Sequence, residues 1–478
     1  MGSSIEHANF VNSVILQTCP PGKYLGREAQ VRLNRIAESA HATILTRCRE
    51  HFEIDLLTHF YDMFDEACYH VLSGKYWIMQ NANLIRNLEV APSVFSYLIN
   101  AVLFSKSKSS KKPEKTELDS IAELAFLLIR ICNYSDFLFY TGFDDGFEIS
   151  EAGDLNLVQS DKTRHLQDRA MQKIGERRLT MHSKELWGET KSFRELSKPY
   201  DSVFRQKYGI ELSEVSEIIA HGIQHNVKKP KGAIISSYGE LTKRLRKGLK
   251  LSRSTVERAV SLFELDREML HVDWRYYKLY DMRPGPSRQP IVHISGKVGK
   301  DGAIIYGPNA LLRAVALLFA DLDRGIVDLG EFSQHHLKQK GLGFERKVRE
   351  LFDRYGFNTL HITDTPSNVG EIDCVAYNNV RGILFVIEAK SPKIDLSLKE
   401  AKWQIKNTQK WCLQLFKKSE WVRANLEHVA EMLRISPDNI REVKDIVVEE
   451  VPTFCDIDCS SKIVTIEDLY YILEAMRA

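Results

Sequence analysis

Over the first 220 residues apolar side chains recur every three or four positions, the period of helices with one buried face. That spacing predicts helices from Glu28 to Arg49, Phe52 to Leu72, Pro92 to Phe104 and Glu117 to Cys132. Ile121 to Tyr140 is the most apolar long stretch, yet Glu123, Arg130 and Asp136 interrupt it. Each of those charges is expensive in a bilayer, so the stretch reads as a buried helix and no membrane span is expected. Between the third and fourth helices, the run Ser105-Lys106-Ser107-Lys108-Ser109-Ser110-Lys111-Lys112-Pro113 offers nothing to bury. It reads as a mobile, solvated basic loop.

The pattern then shortens. Glu240 to Leu245 predicts one helix, and Ser252 is placed to cap a second from Arg253 to Val260. Two short helices with a tight joint suggest a helix-turn-helix, whose second helix enters a DNA major groove. Lys243, Arg244, Arg246, Lys247, Lys250, Arg253 and Arg258 gather positive charge here, with Lys228, Lys229 and Lys231 just upstream. Helix pairs are also common in all-α domains, where such charges form a solvated face. Tyr276 to Ile294 and Ala303 to Tyr306 look extended, and Pro308 to Leu322 returns to helix.

Near Asp328 to Phe332 the pattern changes to alternating helix and strand. Phe344, Val348, Leu351 and Phe352 form one stripe of a helix from Phe344 to Tyr355, and Glu345 sits on its margin. Strands are expected from Phe357 to Thr363, from Asp373 to Ala376 and, after a turn at Asn378 to Gly382, from Ile383 to Lys390. The last of these is apolar until its end, as a central strand covered on both faces should be. A helix from Leu396 to Lys418 follows, then strands Val443 to Val451 and Lys462 to Ile466, and a closing helix Glu467 to Met476. Three divisions result: residues 1–220 as a mainly α-helical domain, 221–330 as a helix-turn-helix-like and mixed α/β segment, and 331–478 as an α/β domain with a mixed sheet flanked by helices.

Bulk composition adds little. The chain has 478 residues, 44% hydrophobic and 27% charged, with net charge +2, so a nucleic-acid partner has to be recognised by local clusters. The eight cysteines are scattered and complete no zinc knuckle, which suggests free thiols in a reducing cytosol. The first residues lack a basic start and apolar run. No Gly-rich phosphate loop appears, and His221 and His225 lack the glutamate a zinc protease needs.

The chemistry concentrates in Gly370-Glu371-Ile372-Asp373 and Val386-Ile387-Glu388-Ala389-Lys390. Residues two apart on a strand share a face, so Glu388 and Lys390 point one way, and Asp373 on the adjoining strand can join them. Magnesium is commonly held by one or two carboxylates plus substrate phosphate, with Asp373, Glu388 and the Ala389 carbonyl as candidate ligands here. Such an ion activates water against a phosphodiester, and Lys390 is placed to orient that water or stabilise charge on the phosphorane. A Glu-x-Lys triplet alone is more often a surface ion pair worth about 0 to 1 kcal/mol. Adding Asp373, Glu345 and the apolar strands around them shifts the reading toward a site.

Residues 341–478 resemble the PD-(D/E)xK nuclease superfamily, particularly its Mrr-like restriction and archaeal Holliday-junction resolvase branches. The matching pieces are Gly341-Leu342-Gly343-Phe344-Glu345, Gly370-Glu371-Ile372-Asp373 and Ile387-Glu388-Ala389-Lys390. The resemblance implies a restriction-endonuclease-like fold in which Glu345, Asp373 and Glu388 bind Mg²⁺, with Mn²⁺ able to substitute. Lys390 serves the attacking water, and Gln404, with Gln409 as the alternative, supports the site. Ile372 stands where a proline is expected, and Glu371 competes with Asp373 as the second acid. Lys399, Lys402, Lys406 and Lys410 line one face of the helix that carries Gln404, a surface suited to phosphate tracking or to solvent. The expectation is therefore a cytoplasmic, metal-dependent endodeoxyribonuclease, as in restriction or anti-phage defence, with a homodimer needed for paired cuts. Against it stand a catalytically silent binding module and an RNA-directed nuclease.

Overall fold

The computed structural model describes residues 2–73, 82–141, 145–160, 197–226, 232–266, 286–294, 303–323, 327, 329–391, 398–450 and 461–477. Helix and sheet are mixed throughout these residues, and no helix among them is long and apolar enough to cross a membrane. Two compact units form, the first containing the described chain up to Leu322 and the second running from Gly330.

The first unit opens with α1 (Gly2–Thr18), α2 (Gly26–Glu50), α3 (Glu53–Ser73), α4 (Ala82–Ser105) and α5 (Lys115–Thr141). The stripe Ala29, Leu33, Ile36, Ala37, Ala40, Ile44 and Cys48 of α2 is buried, as its spacing predicts. Strands β1 (Gly22–Leu25), β2 (Gly146–Ile149) and β3 (Leu155–Val158) add a small antiparallel sheet. The serine-lysine run after α4 is not the free loop expected. The Ser107 hydroxyl donates to the carbonyls of Arg49 (2.9 Å) and His51 (2.6 Å), and Ser109 donates to that of Glu50 (2.7 Å). A helix leaves its last carbonyls without internal partners, and here the serines of a distant loop satisfy them at the end of α2.

Next come α6 (Asp201–Tyr208), α7 (Leu212–Asn226), β4 (Ile234–Ser237), α8 (Tyr238–Arg246), α9 (Arg253–Ser261), β5 (Val292–His293), β6 (Ala303–Tyr306) and α10 (Pro308–Asp323). Ser237 caps α8 by accepting from the Glu240 N–H (3.1 Å), and Ser252 caps α9 by accepting from that of Thr255 (3.1 Å). Helix α7 passes so close to α8 that a Cβ on Gly222 would lie 2.9 Å from the Leu245 Cα. The three strands form an antiparallel sheet in the order β4-β6-β5.

The boundary expected at residue 220 falls inside α7, and a buried acid explains why no division arises there. Asp65 on α3 accepts from the backbone N–H groups of Asn309 (2.7 Å), Ala310 (3.0 Å) and Gly232 (3.2 Å) and from Asn309 Nδ2 (2.8 Å). The early helices thus hold both the N-terminus of α10 and the entry to β4. Burial pushes the Asp65 carboxyl up to about 6 despite these four donors. A carboxyl that holds its proton more tightly when folded stabilises less as pH rises, from its unfolded value near ~4 to the folded value. Urea melts should therefore lose up to about 3 kcal/mol between those two pH values, and Asp65→Asn should remove that slope.

The second unit consists of α11 (Glu331–Arg354), β7 (Asn358–Ile362), β8 (Ile372–Asn378), β9 (Ile383–Lys390), α12 (Leu398–Ala424), α13 (Leu426–Leu433), β10 (Glu442–Glu449), β11 (Lys462–Thr465) and α14 (Ile466–Arg477). The sheet order is β11-β10-β9-β8-β7, with β7, β8 and β9 antiparallel and β9, β10 and β11 parallel. Cys374, Ala376, Phe385, Ile387 and Ala389 pack on Phe344, Val348, Leu351 and Phe352 of α11 and on α14. Val375, Tyr377, Leu384 and Val386 pack the opposite way, on Cys412, Leu415 and Val422 of α12 and on α13. Both faces of β8 and β9 are covered, which is why their sequences show apolar runs without alternation.

Candidate active site

Alternation along the strands decides which side chains meet. Asp373 has the parity of Val375 and Tyr377, and Glu388 and Lys390 have that of Leu384 and Val386, so all three turn to the α12 face. The antiparallel register pairs Cys374 with Ile387, which leaves Asp373 and Glu388 as the next residues at the end of the ladder. Asp373 is 6% exposed and Glu388 1%. Burying two carboxylates this closely is costly unless each is compensated.

The compensation is a closed ring of alternating charge. Lys390 Nζ pairs with Asp373 Oδ2 (3.1 Å) and Glu388 Oε1 (2.8 Å). Lys418 Nζ, from α12, pairs with Asp373 Oδ1 (3.1 Å) and with Glu388 Oε2. Each carboxylate gives one oxygen to each ammonium. Asp373 Oδ2 also accepts from the Ala389 N–H (2.9 Å). Burial alone would raise the Asp373 carboxyl, but Lys390, Lys418 and that N–H together hold it below the usual range. Burial likewise opposes the Lys390 ammonium, and Glu388 and Asp373 overcome it, raising its pKa well above that of an ordinary lysine.

The backbone between the two strand residues is also oriented. The Lys390 carbonyl accepts from the Glu450 N–H (2.9 Å), so Lys390 turns its peptide groups toward β10. Ala389, one residue back, turns its own toward β8, where its N–H meets Asp373. In an extended residue N–H and C=O point to the same side, so the Ala389 carbonyl faces the Asp373 end of the ladder.

Glu345 arrives differently. It comes from α11, on the other face of the sheet, is half-buried, and makes no hydrogen bond or ion pair among the described residues. Burial raises its carboxyl, and the charges of Asp373 and Glu388 push in the same direction against Lys390 and Arg349. It lies within the field of the ring without touching it. Among the described residues no three of His, Cys, Asp and Glu close into a group able to hold a metal by themselves. The donors still suit a hard cation that keeps waters and shares its shell with a phosphate: two adjacent carboxylates and a carbonyl at one strand end.

The remaining expected residues fall out as follows. Glu371 is exposed and turns toward His361 (3.9 Å), so Asp373 is the acid that enters the cluster. Lys406 and Lys410 are exposed on α12, while the side chains of Lys399, Lys402 and Gln404 lie outside the described residues, and Gln409 is exposed. Arg253 is exposed on α9 and pairs with Glu257 (2.9 Å), and Arg258 donates to the Gly209 carbonyl (2.7 Å). Lys243, Arg246, Lys247 and Lys250 are exposed beside them. Lys228, Lys229 and Lys231 lie outside the described residues.

Two buried charges were not anticipated. Lys418 is 5% exposed, and its signal was in the sequence: it stands three residues after Leu415 and four before Val422, on the apolar stripe of α12. Glu449 closes β10 opposite Lys390, is 1% exposed, and accepts from the Thr408 hydroxyl (2.6 Å). The free-thiol expectation also needs correction. Cys19, Cys48, Cys68, Cys132 and Cys374 are free and buried, but Cys412 is disulfide-bonded, to a partner outside the described residues. No family model, curated protein or solved structure matches the chain.

Proposed function

We propose that the chain is a metal-dependent endonuclease that hydrolyses DNA phosphodiester bonds through the cluster at the ends of β8 and β9. The observation that carries this reading is the convergence of Asp373, Glu388 and Lys390 on one face, with the Ala389 carbonyl beside them. A central mixed sheet between α11 and α12 supports the PD-(D/E)xK resemblance of residues 341–478. Asp373, Glu388 and Ala389 would hold Mg²⁺ or Mn²⁺, with Glu345 as the outer acid. When bound, such an ion polarises the scissile phosphoryl group and lowers the pKa of its water.

The chain's own residues do the rest. Lys390 keeps its proton and presents a fixed ammonium, which suits holding an attacking water or a phosphoryl oxygen rather than removing a proton. Exposed Lys406 and Lys410 on α12 suit a phosphate backbone, and the basic surface of α8 and α9 suits duplex DNA. A nuclease unit joined to a larger helical unit suits restriction of foreign DNA.

One observation favours a second reading. Lys390 and Lys418 together neutralise both buried carboxylates, as a purely structural ion network would, leaving a silent module of the same fold. Supercoiled plasmid decides between them. The nuclease reading expects nicked and linear products with Mg²⁺ and none with a chelator. Intact plasmid over hours with Mg²⁺ and with Mn²⁺ leaves the silent module.

A further inference from the structure

Lys418 has no part in the motif and yet holds the most central position in the cluster. Its ammonium reaches Asp373 Oδ1 (3.1 Å) and Glu388 Oε2, one oxygen from each carboxylate. The other oxygen of each faces Lys390. A bridging position between two buried carboxylates is where a hard dication would bind, since it needs oxygens from both at once. An ammonium supplies one positive charge there and three N–H donors, but it leaves no coordination sites for water or phosphate.

We propose that Lys418 is the resident counter-cation of the site: it occupies the metal position in the free protein, and a divalent ion binds only by displacing it. This rests on the reading that Asp373 and Glu388 are metal ligands. Lys390 and Lys418 are unequal in this respect. Lys390 is anchored by its place on β9, next to both carboxylates, and its side chain is 25% exposed at the strand end. Lys418 comes from the covering helix, so displacing it shifts a helix side chain and leaves in place the strands that carry the carboxylates.

Charge counting gives the direction of the effect. Asp373 and Glu388 carry two negative charges, and Lys390 and Lys418 carry two positive ones, so the ring itself is neutral. Without Lys418 the balance is −1, and the bridging oxygens are left without their competitor. Lys418 therefore sets the metal concentration at which the site fills, and weak metal binding is a built-in property of the wild-type chain.

The test uses the full chain and Mn²⁺ alone, with bound ion read from loss of the free Mn²⁺ paramagnetic resonance signal. Lys418→Met keeps the stem and removes the charge, and it is expected to tighten Mn²⁺ binding at least tenfold. Adding Asp373→Asn to that variant is expected to abolish the gain, which locates the ion. Saturating Mn²⁺ is expected to raise the Tm of Lys418→Met more than that of wild type. Should Lys418→Met fold only with Mn²⁺ present, the rescue itself supports the proposal, and Lys418→Gln, which keeps a donor without charge, is titrated instead. Unchanged or weaker Mn²⁺ binding in the charge-free variants overturns it, as does tight binding that survives Asp373→Asn. Plasmid cutting is read separately. Tighter Mn²⁺ binding without any cutting keeps this inference and removes the nuclease reading, and cutting with unaltered Mn²⁺ affinity does the reverse.

Discussion

Replacing Lys390 with alanine is expected to lower the initial rate of plasmid nicking in Mg²⁺ by about 10² to 10³, the usual loss when one preorganised electrostatic donor is removed. The expectation rests on how the ammonium is held. It donates to both carboxylates, and their attraction overcomes the opposing effect of burial and keeps the proton well past the ordinary lysine range. In the metal-free protein the group is therefore held as an ammonium, and its contribution is electrostatic. Two consequences separate this role from that of a general base. In the metal-free protein, an NMR titration of the Lys390 side chain should show no proton loss between about pH 6 and pH 10. Asp373→Asn should lose at least as much rate as Lys390→Ala, since it removes the carboxylate charge that both lysines pair with and replaces one of its two oxygens by an NH₂ group. Glu345→Gln should lose less, because Glu345 acts on the ring only through its field. A circular dichroism melt on each variant separates lost chemistry from lost folding. Cutting by Lys390→Ala at the wild-type rate would remove the lysine from the reaction altogether.

How much of this was legible in the sequence depended on whether local pattern and packing agreed. Strand β9 is read to the residue, Ile383 to Lys390, because both of its faces are buried and every position before the last two charged ones is apolar. Its neighbour β8 was expected over Asp373 to Ala376 and runs from Ile372 to Asn378, and the Asn378 side chain fixes the turn by accepting from the N–H groups of Val380 (3.0 Å) and Arg381 (2.9 Å). Helix α11 is longer than expected. Its start was placed after Gly343, but the helix runs through Gly341 and Gly343 from Glu331. Glycine's helical penalty is only about 1 kcal/mol, which tertiary contacts outweigh. The serine loop was misread because polar composition speaks of solvent and says nothing of the helix end that its hydroxyls reach. The division at residue 220 failed for a similar reason. One carboxylate, Asp65, links residues more than 160 positions apart, and no local pattern announces that. Lys418 was the most consequential miss. The predicted helix ended at that residue, so its place on a stripe continuing to Val422 went unseen.

That same lysine governs the largest expected effect on stability. Glu388→Ala should destabilise the second unit by about 3 to 5 kcal/mol, because it strips a buried partner from two ammoniums at once. Lys418 bears most of that, being buried within the α12 stripe, whereas Lys390 reaches solvent at the strand end. Replacing both members of the inner pair, Glu388→Leu with Lys418→Met, should return stability to within about 1 to 2 kcal/mol of wild type, since matched apolar groups remove the desolvation cost with the charge. The coupling between the two changes is thus expected to be large and favourable. Hydrogen exchange at the β9 amides is the appropriate measurement, because it reports the second unit even when the two units unfold separately. Acid provides an independent check with a defined sign. The folded Asp373 carboxyl lies below its unfolded value, so its contribution is complete above about pH 4 and disappears as pH falls through the folded value. β9 protection should weaken on acidification in wild type and much less in Asp373→Asn. If Glu388→Ala leaves that protection intact, the four charges are solvated in solution and the ring is not what holds the ends of β8 and β9 together.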